Sequence, residues 1–409
     1  MKYVIIGNSA AAAGAIAGIR SKDTKGEIVV ISNERHFIYG RPLISYYLQG
    51  KTDLDNINYK PLDFYEKNNV QTVLGKTVIK IDKNNKKVIL DSKEEVNYDK
   101  LLVSTGSSPF VPLIDGLDKV KNKFTFMSLD DATALKTAVN KNTKVLIVGA
   151  GLIGLKCAEG LLNLVSKITV VDISKRILSS ILDEEGAEFV QKHIENNGVE
   201  FLLGKGVKSF AENEAVLDSG ETVEFDVIVT AVGVKPNIDL IKGIGAKTER
   251  GIITNEYMNT SITDIYAAGD CTESYDITEE KNKILALMPN AYLQGECAGI
   301  NMAGGSKTFS NAIPMNAIGF MGLHIITAGT YNGEIYSDCN QTQIKKLFYE
   351  NNKLCGYILV GNVEKAGIYT KLIREQLPLD KINFNLICKK PTYFAFEKNY
   401  RSQCFGEVV

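Results

Sequence analysis

The sequence predicts an α/β protein built from two similar strand–turn–helix units, followed by a smaller α+β domain at the C-terminal end. Two observations lead to this prediction. The layout of KYVIIGNSAAAAGAIAGI is repeated by TKVLIVGAGLIGLKCAEGLL, and the turn glycines Gly7 and Gly149 lie 142 positions apart. After about Lys307 the pattern changes to hairpin-like segments. An internal duplication of this size is the main organising feature of the chain.

The first unit starts with a short buried strand at residues 2–6, and an Ala-rich helix then runs to about Arg20. EIVVIS at 27–32 is a second strand. TVIKID and KKVILD predict a hairpin that turns at Asn84 and Asn85, and KLLVSTG at 100–106 predicts another buried strand.

The second unit repeats this order from Thr143, with KITVVD at 167–172 and a closing strand VIVTAVG at 227–233. IYAAGD and a helix from about Pro289 follow. In the last part, KKLFYENNKLCGYILVG predicts a hairpin that turns at Asn351–Asn352, and 364–376 has a helical period.

Composition excludes several function classes. The 409 residues allow two or three domains at roughly 150 residues per domain. Lys and Arg total 47 against 48 Asp and Glu, so no basic surface for nucleic acid is expected. The three histidines are scattered along the chain, and we therefore expect no metal site.

Cysteine usage and the N-terminus bear on location. Seven cysteines without a C-x-x-C pair fit neither a disulfide scaffold nor a zinc finger, and they suit a reducing cytoplasm. The first twenty residues resemble a secretory signal, but Asn8 and Ser9 interrupt the apolar stretch, and a strand–turn–helix is the favoured interpretation. No other run approaches the roughly 20 apolar residues of a membrane span.

The second glycine turn is the stronger motif. Gly149, Gly151 and Gly154 follow a strand and open a helix, which places backbone N–H groups where a pyrophosphate can bind. Asp172 closes the next strand, where a carboxylate can accept hydrogen bonds from a ribose and repel a 2′-phosphate. The motif therefore predicts NAD(H) rather than NADP(H). The alternative is a glycine turn that binds nothing.

The first turn is degenerate, because Ser9 and Ala12 stand where the second and third glycines would be. Both are small enough for a dinucleotide turn, and Glu34 after the second strand is the predicted ribose partner. An Ala-rich packing helix is the alternative. The duplication favours a second dinucleotide.

Together with TSITDIYAAGDC, the two turns resemble the FAD-dependent pyridine nucleotide–disulfide oxidoreductase superfamily, which is glutathione-reductase-like in fold. The resemblance covers residues 1 to about 305 and continues more weakly to the end of the chain. It implies that Asp270 holds the ribityl chain of FAD, and that the helix after Met288 points its positive N-terminus at the flavin. FIYGRPLISYYLQGK is similar to the Y-x-R-P-x-L-S pattern of NADH–rubredoxin reductases, nitrite reductase flavin domains and ferredoxin reductases.

Arg41 in that segment is then the predicted pyrophosphate cation, and a surface charge is the alternative. The residues predicted to hold the two cofactors are Gly7, Asn8, Ser9, Ala10, Ala11, Ala12, Glu34, Arg41, Pro42, Val78, Thr105, Gly106, Asp270 and Asn290 for FAD, and Gly149, Gly151, Ile153, Gly154, Asp172 and Gly233 for NAD.

Three departures from these relatives matter. No cysteine precedes Cys157. The segment 39–49, where related enzymes carry redox cysteines, contains Ser45 but no cysteine. A thiol relay is therefore not expected, and Cys271 is interpreted as a packing residue. Tyr46 stands where ferredoxin reductases usually have Lys, and Lys156 stands where many relatives have Glu near the nicotinamide. Lys156 either assists the positioning for hydride transfer in a different way from that Glu, or it is only a cation on the helix surface.

The resulting prediction is a three-domain flavoenzyme. FAD would bind 1–112 with 248–307, NAD would bind 113–247, and 308–409 would form the α+β domain. The predicted reaction passes hydride from NADH to flavin and electrons on to rubredoxin, ferredoxin or an iron–sulfur subunit. A hydrogen-peroxide-forming NADH oxidase and a slow redox-sensing flavoprotein are the alternatives. No nucleic-acid or membrane partner is expected, and the protein would be a monomer or a homodimer.

Overall fold

The computed structural model describes residues 1–405 of the chain. The chain divides into two compact units. The first contains residues 1–175, 198–275 and 282–310, and the second contains 176–197, 276–281 and, of the described residues, 311–405. Within the described residues, no helix combines the length and the apolar character needed to cross a membrane.

Helices and strands are numbered in chain order. The α-helices are α1 (Ala10–Arg20), α2 (Ile44–Gln49), α3 (Phe64–Lys67), α4 (Leu129–Ala138), α5 (Leu152–Leu161), α6 (Glu184–Asn196), α7 (Asp239–Lys242), α8 (Met288–Met302), α9 (Ala366–Arg374), α10 (Phe384–Lys389) and α11 (Lys398–Phe405). The strands are β1 (Lys2–Ile6), β2 (Glu27–Ser32), β3 (Val70–Leu74), β4 (Val78–Asp82), β5 (Lys87–Leu90), β6 (Glu95–Asn97), β7 (Lys100–Val103), β8 (Ser107–Pro109), β9 (Lys123–Phe124), β10 (Lys144–Val148), β11 (Lys167–Asp172), β12 (Val199–Leu203), β13 (Val207–Ala211), β14 (Glu214–Leu217), β15 (Thr222–Glu224), β16 (Val227–Thr230), β17 (Val234–Pro236), β18 (Ile252–Ile253), β19 (Ile265–Ala267), β20 (Thr272–Asp276), β21 (Lys281–Lys283), β22 (Met315–Phe320), β23 (Leu323–Gly329), β24 (Glu334–Cys339), β25 (Ile344–Glu350) and β26 (Lys353–Val360).

The first large sheet of the first unit is entirely parallel, in the order β19-β7-β1-β2-β3. Its central strands are nearly continuous runs of buried Val, Ile and Leu, as expected for a parallel sheet covered on both faces. Ile5 at the centre of β1 pairs with Val30 on one side and Leu102 on the other. The strands predicted at 2–6 and 27–32, and the helix that ends at Arg20, are confirmed.

The second large sheet repeats this arrangement, in the order β12-β11-β10-β16-β9, again with parallel neighbours. The two glycine turns match in detail. Gly7 N donates to Ile31 O and Gly149 N donates to Val171 O, each at 2.8 Å. The internal duplication therefore extends to individual hydrogen bonds, and the prediction of two Rossmann-like sheets is confirmed.

Smaller antiparallel sheets complete the first unit. They are β4-β5-β6, β13-β14-β15 and the two-stranded β8-β17, while β18-β20-β21 includes one parallel pair. The hairpin predicted to turn at Asn84 and Asn85 is the β4–β5 pair. The β8–β17 pair joins the segments that follow β7 and β16, so that it links the ends of the two duplicated halves.

Helices α1 and α8 pack backbone against backbone. Gly14 and Gly18 of α1 lie so close to α8 that a Cβ atom would collide with the carbonyl oxygens of Tyr292 and Glu296. Gly295 and Gly299 of α8 approach α1 equally closely. The small residues of α1 therefore allow close packing against α8, in addition to forming the start of the helix after the glycine turn.

The second unit is built on the antiparallel sheet β22-β23-β26-β25-β24 with α9 packed on it. The predicted hairpin at Asn351–Asn352 and the helix within 364–376 are confirmed. Helix α6 also belongs to this unit, and its N-cap Asp183 pairs with Lys346 at 2.5 Å. The predicted NAD-binding domain, 113–247, would include α6, and the predicted C-terminal domain, 308–409, would not; these domain limits stay a prediction. Residues 406–409 lie outside the described part of the chain.

The close contact between α1 and α8 gives a stability prediction. Gly295→Ala should destabilise the protein by about 1–3 kcal/mol, because the added methyl group must displace the backbone of Ala11. Gly367→Ala in α9 is the matched control, since a Cβ there meets nothing within 4 Å and should be neutral or slightly stabilising. Urea denaturation measures both, and equal stability of the two variants would contradict the packing argument.

Candidate active site

The first glycine turn leaves the start of α1 open. Gly7 has φ +109°, and a Cβ atom there would collide with the carbonyl oxygen of Ser104 on the neighbouring strand. Ser9 is the N-cap of α1, but its side chain caps no backbone N–H, and the first helical turn carries no acidic residue. The N–H groups of Ala10, Ala11 and Ala12 are therefore suited to a phosphate.

Asn8 in the same turn has a structural role. Its side-chain amide donates to the carbonyl oxygen of His36 at 3.1 Å, and it accepts from the hydroxyl of Tyr65 at 2.6 Å. Burial raises the pKa of Tyr65 to about 12, so this hydroxyl stays protonated as a donor at neutral pH. Tyr65 was not anticipated from the sequence, because it lies 57 residues from Asn8.

Glu34 and Arg41 form an ion pair with each other. The second oxygen of Glu34 accepts from the Tyr39 hydroxyl at 2.6 Å, and Arg41 also donates to the carbonyl oxygen of Met127 at 3.1 Å. The sequence predicted separate roles for the two charges, a ribose partner and a pyrophosphate cation. The structure pairs them with each other, and Pro42 is exposed in the short helical turn 41–43 that also contains Arg41.

Asp270 follows β19 and carries a carboxylate with no hydrogen bond from any residue that the structure describes. Burial raises the pKa of this carboxyl, and the guanidinium of Arg41 acts in the opposite direction. A carboxylate that is partly desolvated in this way gains from hydroxyl donors of a ligand. This observation fits the predicted contact with the ribityl hydroxyls of FAD.

Helix α8 presents a second open N-terminus beside this segment. The N-cap residue of α8 is Leu287, whose side chain makes no capping hydrogen bond. The first turn of the helix contains Pro289 and no acidic residue. Asn290 is buried in the first turn. Gln294, which sequence reasoning missed, accepts from the backbone N–H of Gly269 at 2.6 Å and thereby fixes the turn that carries Asp270.

The second glycine turn has the same form. Gly149 has φ +117°, and a Cβ atom there would meet the carbonyl oxygen of Ala231, while at Gly154 it would meet the carbonyl oxygen of Gly149. At Gly151, the N-cap of α5, a Cβ atom would meet nothing within 4 Å. The structure therefore requires two of the glycines for packing and leaves the space above Gly151 open. Ile153, in the first turn of α5, is partly buried.

Asp172 stands at the carboxyl end of β11 beside this turn. Its two oxygens accept from the backbone N–H groups of Ala150 and Ser174, at 2.6 and 2.7 Å. Each carboxylate oxygen has a further lone pair. Asp172 can therefore support the glycine turn and also accept a ribose hydroxyl.

The remaining predicted contacts lie at strand ends. Thr105 and Asn237 are joined by two hydrogen bonds, from Thr105 Oγ1 to Asn237 O at 2.7 Å and from Asn237 Nδ2 to Thr105 O at 2.9 Å. Gly106 and Gly233 both have positive φ and open space around the missing Cβ. Val78 differs from them, because its side chain is packed in a hydrophobic core and leaves only its backbone for a ligand.

The cysteines near these turns are buried thiols. Cys271 is fully buried, and burial raises its pKa to about 11. Cys157 is also fully buried, and its pKa is raised by the same cause. Ser45, in the segment 39–49, is buried and donates to the carbonyl oxygen of Pro42 at 3.3 Å. Neither of the two thiols is therefore a thiolate at neutral pH.

The neighbours of Lys156 include a carboxylate and an aromatic ring. Lys156 forms an ion pair with the buried carboxylate of Glu159, and its ammonium group lies 4.9 Å from the ring centroid of Tyr46. Only 18% of the Lys156 side chain is exposed. Glu159 was not singled out from the sequence, although its i,i+3 spacing from Lys156 was available as a signal.

Comparison with known proteins decides the family. Residues 1–295 match the pyridine nucleotide-disulphide oxidoreductase family. The chain belongs to this family. The resemblance identified from the sequence is confirmed, and so is the prediction of FAD and NAD(H) as cofactors.

Several family members cover nearly the whole chain. An NADH oxidase of Methanocaldococcus jannaschii is 32% identical in an alignment of 417 positions that covers 92% of this chain and 93% of that protein. The NADH-rubredoxin oxidoreductase of Clostridium acetobutylicum is 28% identical, with 93% and 97% covered. A crystal structure of NADH:rubredoxin oxidoreductase from the same organism superposes with a TM-score of 0.76 at 27% identity, covering 93% of this chain and 96% of that one.

Other relatives are longer. The assimilatory nitrate reductase electron transfer subunit of Bacillus subtilis is 34% identical over 86% of this chain, but the match covers 46% of that protein. For the nitrite reductase of the same organism the covered share is 48%. The chain thus spans about half the length of these two relatives.

The carboxylate of Asp270, which receives no hydrogen bond within the described chain, gives a binding prediction. Asp270→Asn should weaken FAD binding by about 1.5–3 kcal/mol, roughly ten- to hundredfold in the dissociation constant, because charged acceptors make the stronger hydrogen bonds. Asp264→Asn at the opposite end of β19 is the control and should retain FAD, since Asp264 pairs with Lys86 and Lys100. Flavin fluorescence during reconstitution measures both, and full FAD affinity in Asp270→Asn would refute the assignment.

Proposed function

We propose that this chain is an FAD-dependent NADH:acceptor oxidoreductase that passes electrons to a small iron protein. One observation carries the proposal. Two open glycine turns lie in one compact unit, and the segment 39–49 between them contains a buried serine and no cysteine. A two-dinucleotide enzyme without a thiol relay must release electrons directly from the flavin.

Each element has a role in this proposal. The N–H groups at the start of α1 and the guanidinium of Arg41 bind the FAD pyrophosphate, and Asp270 accepts from the ribityl chain. The start of α5 binds the NADH pyrophosphate, and Asp172 accepts from the ribose. The bound flavin supplies the redox chemistry, by accepting a hydride and releasing electrons one at a time. The positive end of α8 favours the reduced, anionic form.

The acceptor is proposed from the functions of relatives together with the absence of a cysteine on 39–49. An NADH-rubredoxin oxidoreductase and a rubredoxin-NAD(+) reductase of Pseudomonas putida, 28% identical over 75% of this chain, act with rubredoxin. Rubredoxin, ferredoxin or an iron–sulfur subunit are therefore the proposed partners, of a monomer or a homodimer. The pattern of cysteines supports the cytoplasm as the proposed location.

A hydrogen-peroxide-forming NADH oxidase is the second candidate. The observation that favours it is the 32% identity to the NADH oxidase of Methanocaldococcus jannaschii across more than nine-tenths of both chains. The same lack of a cysteine on 39–49 suits it, because direct reoxidation by dioxygen also needs no thiol. The two candidates differ in what reoxidises the enzyme.

Rapid anaerobic mixing with NADH tests the proposal. One equivalent of NADH per FAD should bleach the flavin, since no cysteine pair takes up a second pair of electrons. Oxidised rubredoxin or ferredoxin should then restore the flavin absorbance faster than air-saturated buffer does. Faster recovery in air, with peroxide formed, would favour the oxidase; slow bleaching would favour a redox sensor. A two-equivalent titration would contradict direct transfer.

The position of Asp172 predicts the choice of coenzyme. The wild type should have a higher kcat/KM for NADH than for NADPH, because a carboxylate repels a 2′-phosphate. Asp172→Asn should lower the ratio of kcat/KM for NADH to kcat/KM for NADPH by about tenfold. This factor corresponds roughly to the free energy of one charge-assisted hydrogen bond.

Asp226→Asn is the matched control for this prediction. Asp226 also accepts a backbone N–H, that of Lys144 at 2.7 Å, but at the opposite end of β10 from the glycine turn. Its variant should change stability and leave coenzyme preference intact. If the wild type used both coenzymes equally, Asp172 would not be at the ribose.

A further inference from the structure

Two positions at which the sequence departs from its relatives are in contact with each other. Lys156 of α5 places its ammonium group 4.9 Å from the ring centroid of Tyr46 in α2. The buried carboxylate of Glu159 pairs with the same ammonium group. An ammonium group over a tyrosine ring is attracted by the negative face of the ring, and more strongly when it is shielded from water.

Helices α2 and α5 also pack closely together at Gly160. A Cβ atom at Gly160 would lie 3.0 Å from Leu48 Cβ and 3.3 Å from the carbonyl oxygen of Ser45. The contact is therefore tight one turn beyond Lys156. Because Tyr46 lies on α2 and Lys156 on α5, a single side-chain cluster joins the helix that follows Arg41 to the helix opened by the second glycine turn.

A second lysine covers the neighbouring tyrosine from another helix. Lys136 of α4 lies 4.2 Å from the ring centroid of Tyr47 and donates to its carbonyl oxygen at 3.0 Å. Both pairs place an ammonium group over a tyrosine ring of the same short helix. They differ in that Lys156 also pairs with a carboxylate and lies only two residues after Gly154, whereas α4 does not follow a glycine turn.

We propose that Lys156 is a positioning residue that, through Glu159 and the ring of Tyr46, holds the second glycine turn in a fixed relation to α2 and the first dinucleotide site. The proposal rests on the function proposed above. Hydride transfer requires both dinucleotides to be aligned, and small misalignments cost much rate. The contact should therefore control the rate of flavin reduction more than the affinity for NADH.

The test uses the FAD-loaded protein and variants that do not strand a buried charge. Lys156→Gln combined with Glu159→Gln removes both charges together, and Tyr46→Leu removes the ring. Both should slow the limiting rate of flavin reduction by NADH about tenfold or more. The dissociation constant for NAD⁺, measured by calorimetry, should change less than about twofold, which corresponds to under about 0.4 kcal/mol.

Hydrogen exchange supplies a readout that needs no turnover. Amides of residues 44–49 should exchange faster in both variants than in the wild type, because α2 loses one of its lateral contacts. Lys156→Arg keeps a cation that stacks on an aromatic ring, and it should restore most of the reduction rate. Lys136→Gln is the matched control and should leave the reduction rate near that of the wild type.

Three results would overturn the proposal. They are a wild-type reduction rate in the double variant, a loss of NAD⁺ affinity in proportion to the rate, and an equal loss of rate in Lys136→Gln. The last would mean that packing around α2 in general, rather than Lys156, controls the rate. If NADH fails to reduce the wild type, the proposed function fails; if the wild type is reduced normally and the variants match it, only the role of Lys156 fails.

Discussion

The architecture depends on the close approach of a backbone turn to the neighbouring parallel strand. At Gly7 and at Gly149 the carbonyl oxygen of Ser104 or Ala231 occupies the place of a side chain. Only glycine fits there, with φ values above +100°. This contact ends each strand just before the following helix, and no side chain caps the first N–H groups of α1 or α5. The proposed phosphate binding would thus follow from how each strand is followed by its helix.

Helix packing then places the rest of the first site. Four glycines allow α1 and α8 to lie backbone against backbone, which brings two open helix N-termini into the same compact unit. Gln294 of α8 bonds the N–H of Gly269 and so connects this packing to the turn that carries Asp270. A change at the helix contact therefore reaches the turn that carries Asp270 through a hydrogen bond as well as through packing.

Charge is arranged differently at the two glycine turns. Near the first, Glu34 and Arg41 form an ion pair, and Asp270 keeps a carboxylate without a hydrogen-bond donor among the described residues. At the second, Asp172 is bonded to two backbone N–H groups. The buried thiols stay protonated, as Cys271 illustrates with a pKa of about 11. These arrangements favour a site in which the cofactors, and not the side chains, carry the electrons.

The amino-acid sequence alone determined the local features. The two β-branched strands, the glycine turns, the α1 helix and the hairpin at Asn351–Asn352 follow from periodicity and turn chemistry, which act over a few residues. Only the tertiary structure decided which distant residues meet. It placed Lys156 against Tyr46, packed Val78 in a core and joined α6 to the C-terminal sheet. Such contacts depend on how whole elements pack, and no local pattern in one sequence encodes the partner of a residue more than a hundred positions away.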